Sequence, residues 1–176
     1  QPERRCEPIE ARPVSYANGE ANIKSLLESV TGLGASSVVS TANDDPKGAY
    51  QALRNGVNRD VVALVMGGFD RQRVGMDSAG PLTLTNWETQ IEIYTLNREN
   101  VGDTYKQLGT IRQGVIDQID AYPKLNNPTG TTVRMALVDS AGEVVTMTPV
   151  GAANPTHLTQ TLSLLWQEQT TVAVTA

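Results

Sequence analysis

The chain has 176 residues, of which 39% are hydrophobic and 19% are charged; these proportions are typical of one globular domain and exclude an intrinsically disordered chain. The formal net charge is -5 and the basic residues are scattered, which argues against direct nucleic-acid binding, since that requires a basic patch. One cysteine, Cys6, excludes an intrachain disulfide, and the lack of a run of 18 apolar residues excludes a transmembrane helix.

Two segments are predicted at the start of the chain. Three prolines and mixed charges in residues 1–18 predict an extended arm, which is followed by a single α+β domain over residues 19–176. A first helix is predicted over residues 20–31, and Gly32 and Gly34 are expected to end it. Its buried stripe has the three- and four-residue spacing of a helix with one apolar face: Ile23, Leu26, Leu27 and Val30.

The next third of the chain predicts short elements and one long loop. Residues 37–41 predict a strand, and Asp45-Pro46 predicts the N-cap and first position of a short helix that reaches residue 55. The apolar run 61–66 predicts a buried strand that ends at Gly67-Gly68. Residues 69–81 have no clear periodicity and contain two glycines and a proline, so a long loop is predicted there.

The middle of the chain carries the clearest periodicities. Residues 83–96 alternate as in a strand, with Trp87, Thr89, Ile91 and Ile93 on one face and Glu88, Gln90, Glu92 and Tyr94 on the other. Residues 101–122 predict the major helix, which Asn100 caps and Pro123 ends. Its predicted apolar stripe is Val101, Tyr105, Leu108, Ile111, Val115, Ile119 and Tyr122.

The last third predicts a hairpin and a long strand. Val133, Met135 and Leu137 alternate with polar residues before the turn-like segment 139–142, and residues 143–148 predict the returning strand. Apolar residues then occupy even positions over residues 158–174, which would span about 55 Å in extended form, against a radius of gyration of about 16 Å for a domain of this length. Two alternatives follow: a bend near residues 167–169, or a strand that pairs with a neighbouring subunit.

These elements predict an α+β fold. We expect a mixed or mainly antiparallel sheet of about four to six strands, packed by one long and one or two short helices.

The sequence carries no recognisable catalytic, cofactor or metal site. The single histidine, His157, stands before a strand, with no nucleophile elbow in the chain and too few His and Cys residues for zinc. No phosphate-binding pattern follows Gly67-Gly68, which argues against a nucleotide enzyme. Asp44-Asp45 is explained by helix capping. Glu88 and Glu92 share a strand face, which leaves open a carboxylate-based hydrolase or binding module.

Three segments and the order of the elements carry a family resemblance. The segments are the strand Trp87-Glu88-Thr89-Gln90-Ile91-Glu92-Ile93-Tyr94, the helix through Ile119-Asp120-Ala121-Tyr122 and the closing Leu162-Ser163-Leu164-Leu165-Trp166. Over about residues 20–175 the chain resembles the tail terminator (tail completion) proteins of long-tailed bacteriophages. The predicted arm and the predicted loop at 69–81 depart from the family pattern.

The resemblance implies a virion protein with no enzymatic activity and no cofactor. Such a protein is a subunit of a homo-oligomeric ring, a hexamer in this family, that caps the tail tube and joins it to the head connector. Its partners would be tail-tube and connector proteins, and DNA would pass through the ring without specific binding. We expect it in the tail or neck after assembly in the host cytoplasm, without a membrane. Another tail-tube or head–tail connector component is the alternative.

Overall fold

The computed structural model describes residues 15–33, 37–40, 60–77, 80–96, 100–125, 132–147 and 157–171. Within these ranges the chain forms two helices and six strands, which confirms the predicted α+β class. In chain order they are α1 (Ser15–Leu27), β1 (Val38–Ser40), β2 (Asp60–Asp77), β3 (Gly80–Leu96), α2 (Val101–Ala121), β4 (Thr132–Ala141), β5 (Val145–Met147) and β6 (His157–Thr171).

The six strands form one mixed sheet. Its order is β1-β2-β3-β6-β4, and β5 pairs with β6. β1 runs parallel to β2, and every other pair is antiparallel. The main core lies on one face of the sheet, between the strands and both helices, and includes Ile23 of α1, Ile111 of α2 and Ile91 of β3. We call this the helix face and the opposite one, which buries a small second cluster that includes Val39 and Val61, the open face.

The first helix begins at Ser15 and not at residue 20, so residues 15–18 of the predicted arm are helical. Residues 1–14 lie outside the described part of the chain. The predicted stripe is buried as expected, although the regular helix ends at Leu27 and turns carry the chain on to Val30. Gly32 follows with a φ of 92°, a conformation that favours glycine.

The second helix agrees with its prediction in position and cap. Asn100 accepts a hydrogen bond from the backbone N–H of Gly102 at 2.8 Å, and Tyr122 is the C-cap. The predicted stripe is buried at Leu108, Ile111, Val115 and Ile119, whereas Val101, Tyr105 and Tyr122 are exposed. Val101 and Tyr122 are exposed because they stand at the helix ends, and Tyr105 lies on the flank of the stripe. The buried residues of α2 are Thr104, Leu108, Ile111, Val115 and Ile119.

The prediction of a long loop at residues 69–81 is wrong. Strand β2 continues through Gly67-Gly68 to Asp77 and pairs with β3 as far as Gly80. The two glycines oppose the single residue Glu88 in a β-bulge, so they interrupt the ladder without ending the strand. A Cβ on Gly67 would lie 2.9 Å from the carbonyl oxygen of Glu88, which explains the need for glycine there.

The predicted hairpin between residues 133–138 and 143–148 is also wrong. Strands β4 and β5 do not pair with each other, because both pair antiparallel with β6 and lie one after the other along the same edge of it. Most of the turn-like segment 139–142 therefore belongs to β4, which runs to Ala141, and the chain continues into β5 in the same direction. The N–H of Gly142 still donates to the carbonyl of Thr161 at 2.7 Å.

Strand β6 confirms the predicted alternation. Its even positions, from Leu158 to Glu168, are buried. It pairs with β3 without a register shift over its whole described length, so the long strand is accommodated by an equally long neighbour in its own chain. Neither a bend at residues 167–169 nor an excursion to another subunit is needed within that length. Residues 172–174, like the predicted helix at 45–55, lie outside the described part.

Candidate interaction surface

The two carboxylates considered for chemistry lie on the open face of β3 but apart from each other. Glu88 and Glu92 are four residues apart on one strand, which places them about 13 Å apart at about 3.3 Å for each residue. The Ser163 hydroxyl donates to Oε1 of Glu88 at 3.2 Å, and the Tyr94 hydroxyl donates to Oε2 of Glu92 at 2.6 Å. Each carboxylate therefore has its own hydroxyl partner, and the two do not form a pair.

His157 lies at the start of β6 on the same face as Glu92. It is half-buried, and its ring centroid is 6.0 Å from that of Tyr94. Burial lowers the pKa of His157 below its ordinary value, because desolvation disfavours the imidazolium. A neutral histidine packed on a tyrosine ring is a structural arrangement, and it adds no argument for catalysis at this position.

An aromatic stack crosses the sheet on its helix face. Phe69, Trp87 and Trp166 lie on neighbouring strands, with ring centroids 5.1 Å apart for the first pair and 5.7 Å for the second. Trp166 is 2% exposed and donates its indole N–H to the Thr89 hydroxyl at 3.1 Å, so it is part of the core. Trp87 is partly buried, and Phe69 at the end of the stack is 65% exposed.

A buried carboxylate stands beside this stack. Glu168 is 2% exposed, and its Oε2 accepts the indole N–H of Trp87 at 3.3 Å. Desolvation raises the pKa of Glu168, while the Trp87 hydrogen bond and the charge of Arg71 oppose the rise. Glu168 was not among the residues considered for a site from the sequence. The signal that could have found it is a charged residue at an even, and therefore buried, position of β6.

The most exposed apolar side chains of the sheet lie on the outer part of β2. We call residues 66–77 the outer β2 segment; it includes most of the predicted loop and also Met66, the last residue of the run 61–66, whose predicted burial is wrong. Its large apolar side chains are strongly exposed: Met66 at 54%, Phe69 at 65%, Val74 at 46% and Met76 at 76%. Strand β1 covers only Val62, Ala63 and Leu64 of β2, so within the described residues the outer segment has β3 on one side and no strand on the other.

A second open edge lies at the opposite side of the sheet. Strand β4 pairs with β6 on one side, and no described strand pairs with its other side. A β-bulge at Arg134 places Met135 on the open face, although its predicted neighbour Val133 is buried on the helix face. Met135 and Leu137 are consequently 53% and 46% exposed. This contradicts the simple alternation that the sequence suggested for the three residues.

The described residues contain neither a cluster of metal ligands nor a membrane-spanning helix. No group of three or more His, Cys, Asp or Glu side chains comes together in that part of the chain. None of its helices is long and apolar enough to cross a membrane. Cys6 and Asp44-Asp45 lie outside the described ranges. The surface features that remain are the two open strand edges and their exposed apolar side chains.

Comparison with known proteins adds no family to this description. No family model matches the chain, and no curated protein matches its sequence.

Proposed function

We propose that the protein is a structural subunit of a bacteriophage tail or neck, which forms a ring that caps the tail tube and joins it to the head connector. The proposal begins from the resemblance of the element order and of the Trp87–Tyr94 strand to tail terminator proteins. The observation that carries it is the pair of open sheet edges with exposed apolar side chains, since monomeric proteins normally cover or charge such edges.

Two further features support assembly in preference to chemistry. The carboxylates Glu88 and Glu92 are separated on the open face and are engaged by hydroxyl groups, so their geometry gives no support to a carboxylate-pair hydrolase. The net charge of -5 is compatible with a ring through which DNA passes without specific binding, because like charges repel.

The test uses tail tubes assembled from the tail-tube protein of the same genome. Purified protein is mixed with preformed tubes, and gold-labelled protein is located by electron microscopy. The proposal expects label at tube ends and no further elongation when tube protein is added. Label along the tube, or incorporation into growing tubes, would instead favour a tube subunit. Protein that ignores the tubes would contradict both roles.

A variant control separates assembly from the hydrolase or binding alternative. Replacing Glu88 and Glu92 together by Gln removes two charges from the open face and leaves the side-chain shapes nearly unchanged. The assembly proposal expects the variant to bind tube ends, with at most a changed salt dependence. Loss of a hydrolytic or ligand-binding activity, with tube-end binding absent in both proteins, would favour the alternative.

A further inference from the structure

The two open edges of the sheet lie on opposite sides of the same four strands. In sheet order β2, β3, β6 and β4 alternate in direction, because each neighbouring pair is antiparallel. The outer β2 segment and β4 therefore run in opposite directions within one subunit. From one open edge to the other the sheet has four strands, including the two edge strands β2 and β4.

This alternation decides how two copies of the chain can meet. A rotation about an axis roughly along the strands keeps each strand's direction, so it brings β4 of one copy antiparallel to β2 of the next. The antiparallel pattern then continues across the subunit boundary without a change. A contact of this kind is head-to-tail, and its repetition closes a ring when the rotation is a whole fraction of a turn.

The two edges are also alike in charge. Each carries exposed apolar side chains, but Phe69 of β2 lies on the helix face whereas Met135 and Leu137 of β4 lie on the open face, so these side chains flank the joint on different faces. Each edge is electrically neutral by count, since residues 66–77 contain two acidic and two basic residues, and residues 132–141 contain one of each. The chain as a whole carries -5, so these edges are places where two copies approach with less repulsion.

We propose that the outer β2 segment of one copy pairs with β4 of the next copy, so that a continuous antiparallel sheet joins the subunits of the ring. The inference rests on the proposed function only in that the protein forms a homo-oligomeric ring. The occupant of each edge is a second copy of this chain, and the contact is β-augmentation between unlike edges.

Bulges in the outer β2 segment and in β4 limit the pairing between subunits to short stretches and thereby restrict its register. The outer β2 segment is regular from Phe69 to Arg73, between its two bulges, and β4 is regular from Met135 to Val138. Short regular stretches bounded by bulges leave few registers, and they discourage indiscriminate edge-to-edge aggregation. The joint therefore contains about four residue pairs for each contact, flanked by the exposed apolar side chains.

A mixing experiment tests the joint. One variant, Phe69→Lys with Val74→Lys, blocks the β2 edge, and a second, Met135→Lys with Leu137→Lys, blocks the β4 edge, because exposed lysines disfavour edge pairing. Tyr105→Lys, at an equally exposed apolar residue of α2, is the control. Oligomeric state is measured by light scattering after size exclusion, and far-ultraviolet circular dichroism checks the fold.

We expect each blocked variant alone to be a monomer and the control to form the wild-type ring. An equimolar mixture of the two blocked variants gives a 1:1 heterodimer, because each supplies the edge that the other lacks. The heterodimer also demonstrates that both variants are folded.

Three other results would overturn the joint. A β4-blocked variant that still dimerises alone indicates pairing of like edges. Rings that survive in either blocked variant place the contact elsewhere, and wild-type rings with no heterodimer in the mixture exclude pairing between unlike edges. Failure of the proposed function is distinct: the heterodimer would form and wild-type rings would assemble, but the rings would not bind tube ends.

Discussion

Glu168 combines a charged side chain with a position that the fold buries almost completely. Its neighbours on the helix face include the aromatic stack, and its direct hydrogen bond comes from the indole of Trp87. The ionised form loses more hydration than these contacts return, so the pKa of Glu168 is raised. A native carboxyl with a raised pKa binds its proton more tightly than the unfolded chain does. Folding stability therefore falls as the pH rises above the unfolded pKa.

Glu168→Gln is expected to stabilise the protein at pH 7 and to remove part of this pH dependence. The amide oxygen still accepts from Trp87, while the cost of burying a charge disappears. The variant should therefore be more stable than the wild type at pH 7, and this gain should shrink as the pH falls and the native carboxyl takes up its proton. Urea unfolding from pH 4 to pH 8 measures it, with Asp120→Asn, at an exposed carboxylate of α2, as control. If the free energy of unfolding of the variant depended on pH as steeply as that of the wild type over this range, the raised pKa of Glu168 would be contradicted.

Gly19 is required by close packing of α1 on Trp166. A Cβ at Gly19 would overlap Cη2 of the indole, and Trp166 is 2% exposed and has little freedom to move. Gly19→Ala is therefore expected to destabilise the fold by about 1–3 kcal/mol, despite the better helix propensity of alanine. Thermal unfolding provides the measurement.

Gly109 supplies the matched control for that substitution. It lies in α2, and a methyl group added there would have no neighbouring atom within 4 Å, so Gly109→Ala is expected to stabilise by about 0.5–1 kcal/mol. Equal effects of the two substitutions would show that propensity, and not contact with Trp166, decides the outcome at Gly19.

Among the elements, those with clear periodicity were predictable from the sequence. The burial of Leu26, Thr89, Ile91 and Leu164 follows directly from three- and four-residue or two-residue spacing. The outer β2 segment was not predictable in this way. Its bulges break the two-residue alternation, and its side chains are exposed on both faces, so no apolar stripe marks it as a strand.

The arrangement of β4 and β5 depends on β6, a strand that follows later in the sequence and pairs with both. The segment 139–142 has the composition of a reversing turn, but Ser140 and Ala141 pair with β6 as part of β4, and β5 then pairs with β6 in the same direction. The bulge at Arg134 is equally invisible in the sequence, and it moves Met135 and Leu137 to the open face. The candidate surface was therefore missed at the residues where the sheet departs from regular pairing.

The cap of α2 gives a prediction at the scale of one element. Asn100→Ala removes the side-chain acceptor of the Gly102 N–H, and we expect a loss of about 1 kcal/mol in the free energy of unfolding. Denaturant titration measures it. Thr110→Ala, at an exposed mid-helix position, is the control and should be neutral or slightly stabilising. A loss at Thr110 as large as that at Asn100 would contradict the role of the cap.

At the scale of the whole molecule, a mixed, mainly antiparallel sheet has helices packed on one face and carries two unlike open edges at its opposite sides. Such a subunit can repeat head-to-tail without changing its strand pattern. This feature of the fold supports the proposed role in a phage neck, because a ring requires two different complementary edges on every copy.

Electron microscopy of the purified protein shows whether such rings form. We expect closed rings of uniform diameter with a central opening, and one rotational symmetry in their class averages. The rings should disappear in both lysine-blocked variants and persist in Tyr105→Lys. A wild-type protein that stays monomeric at every concentration tested, like its edge-blocked variants, would contradict assembly through the two edges.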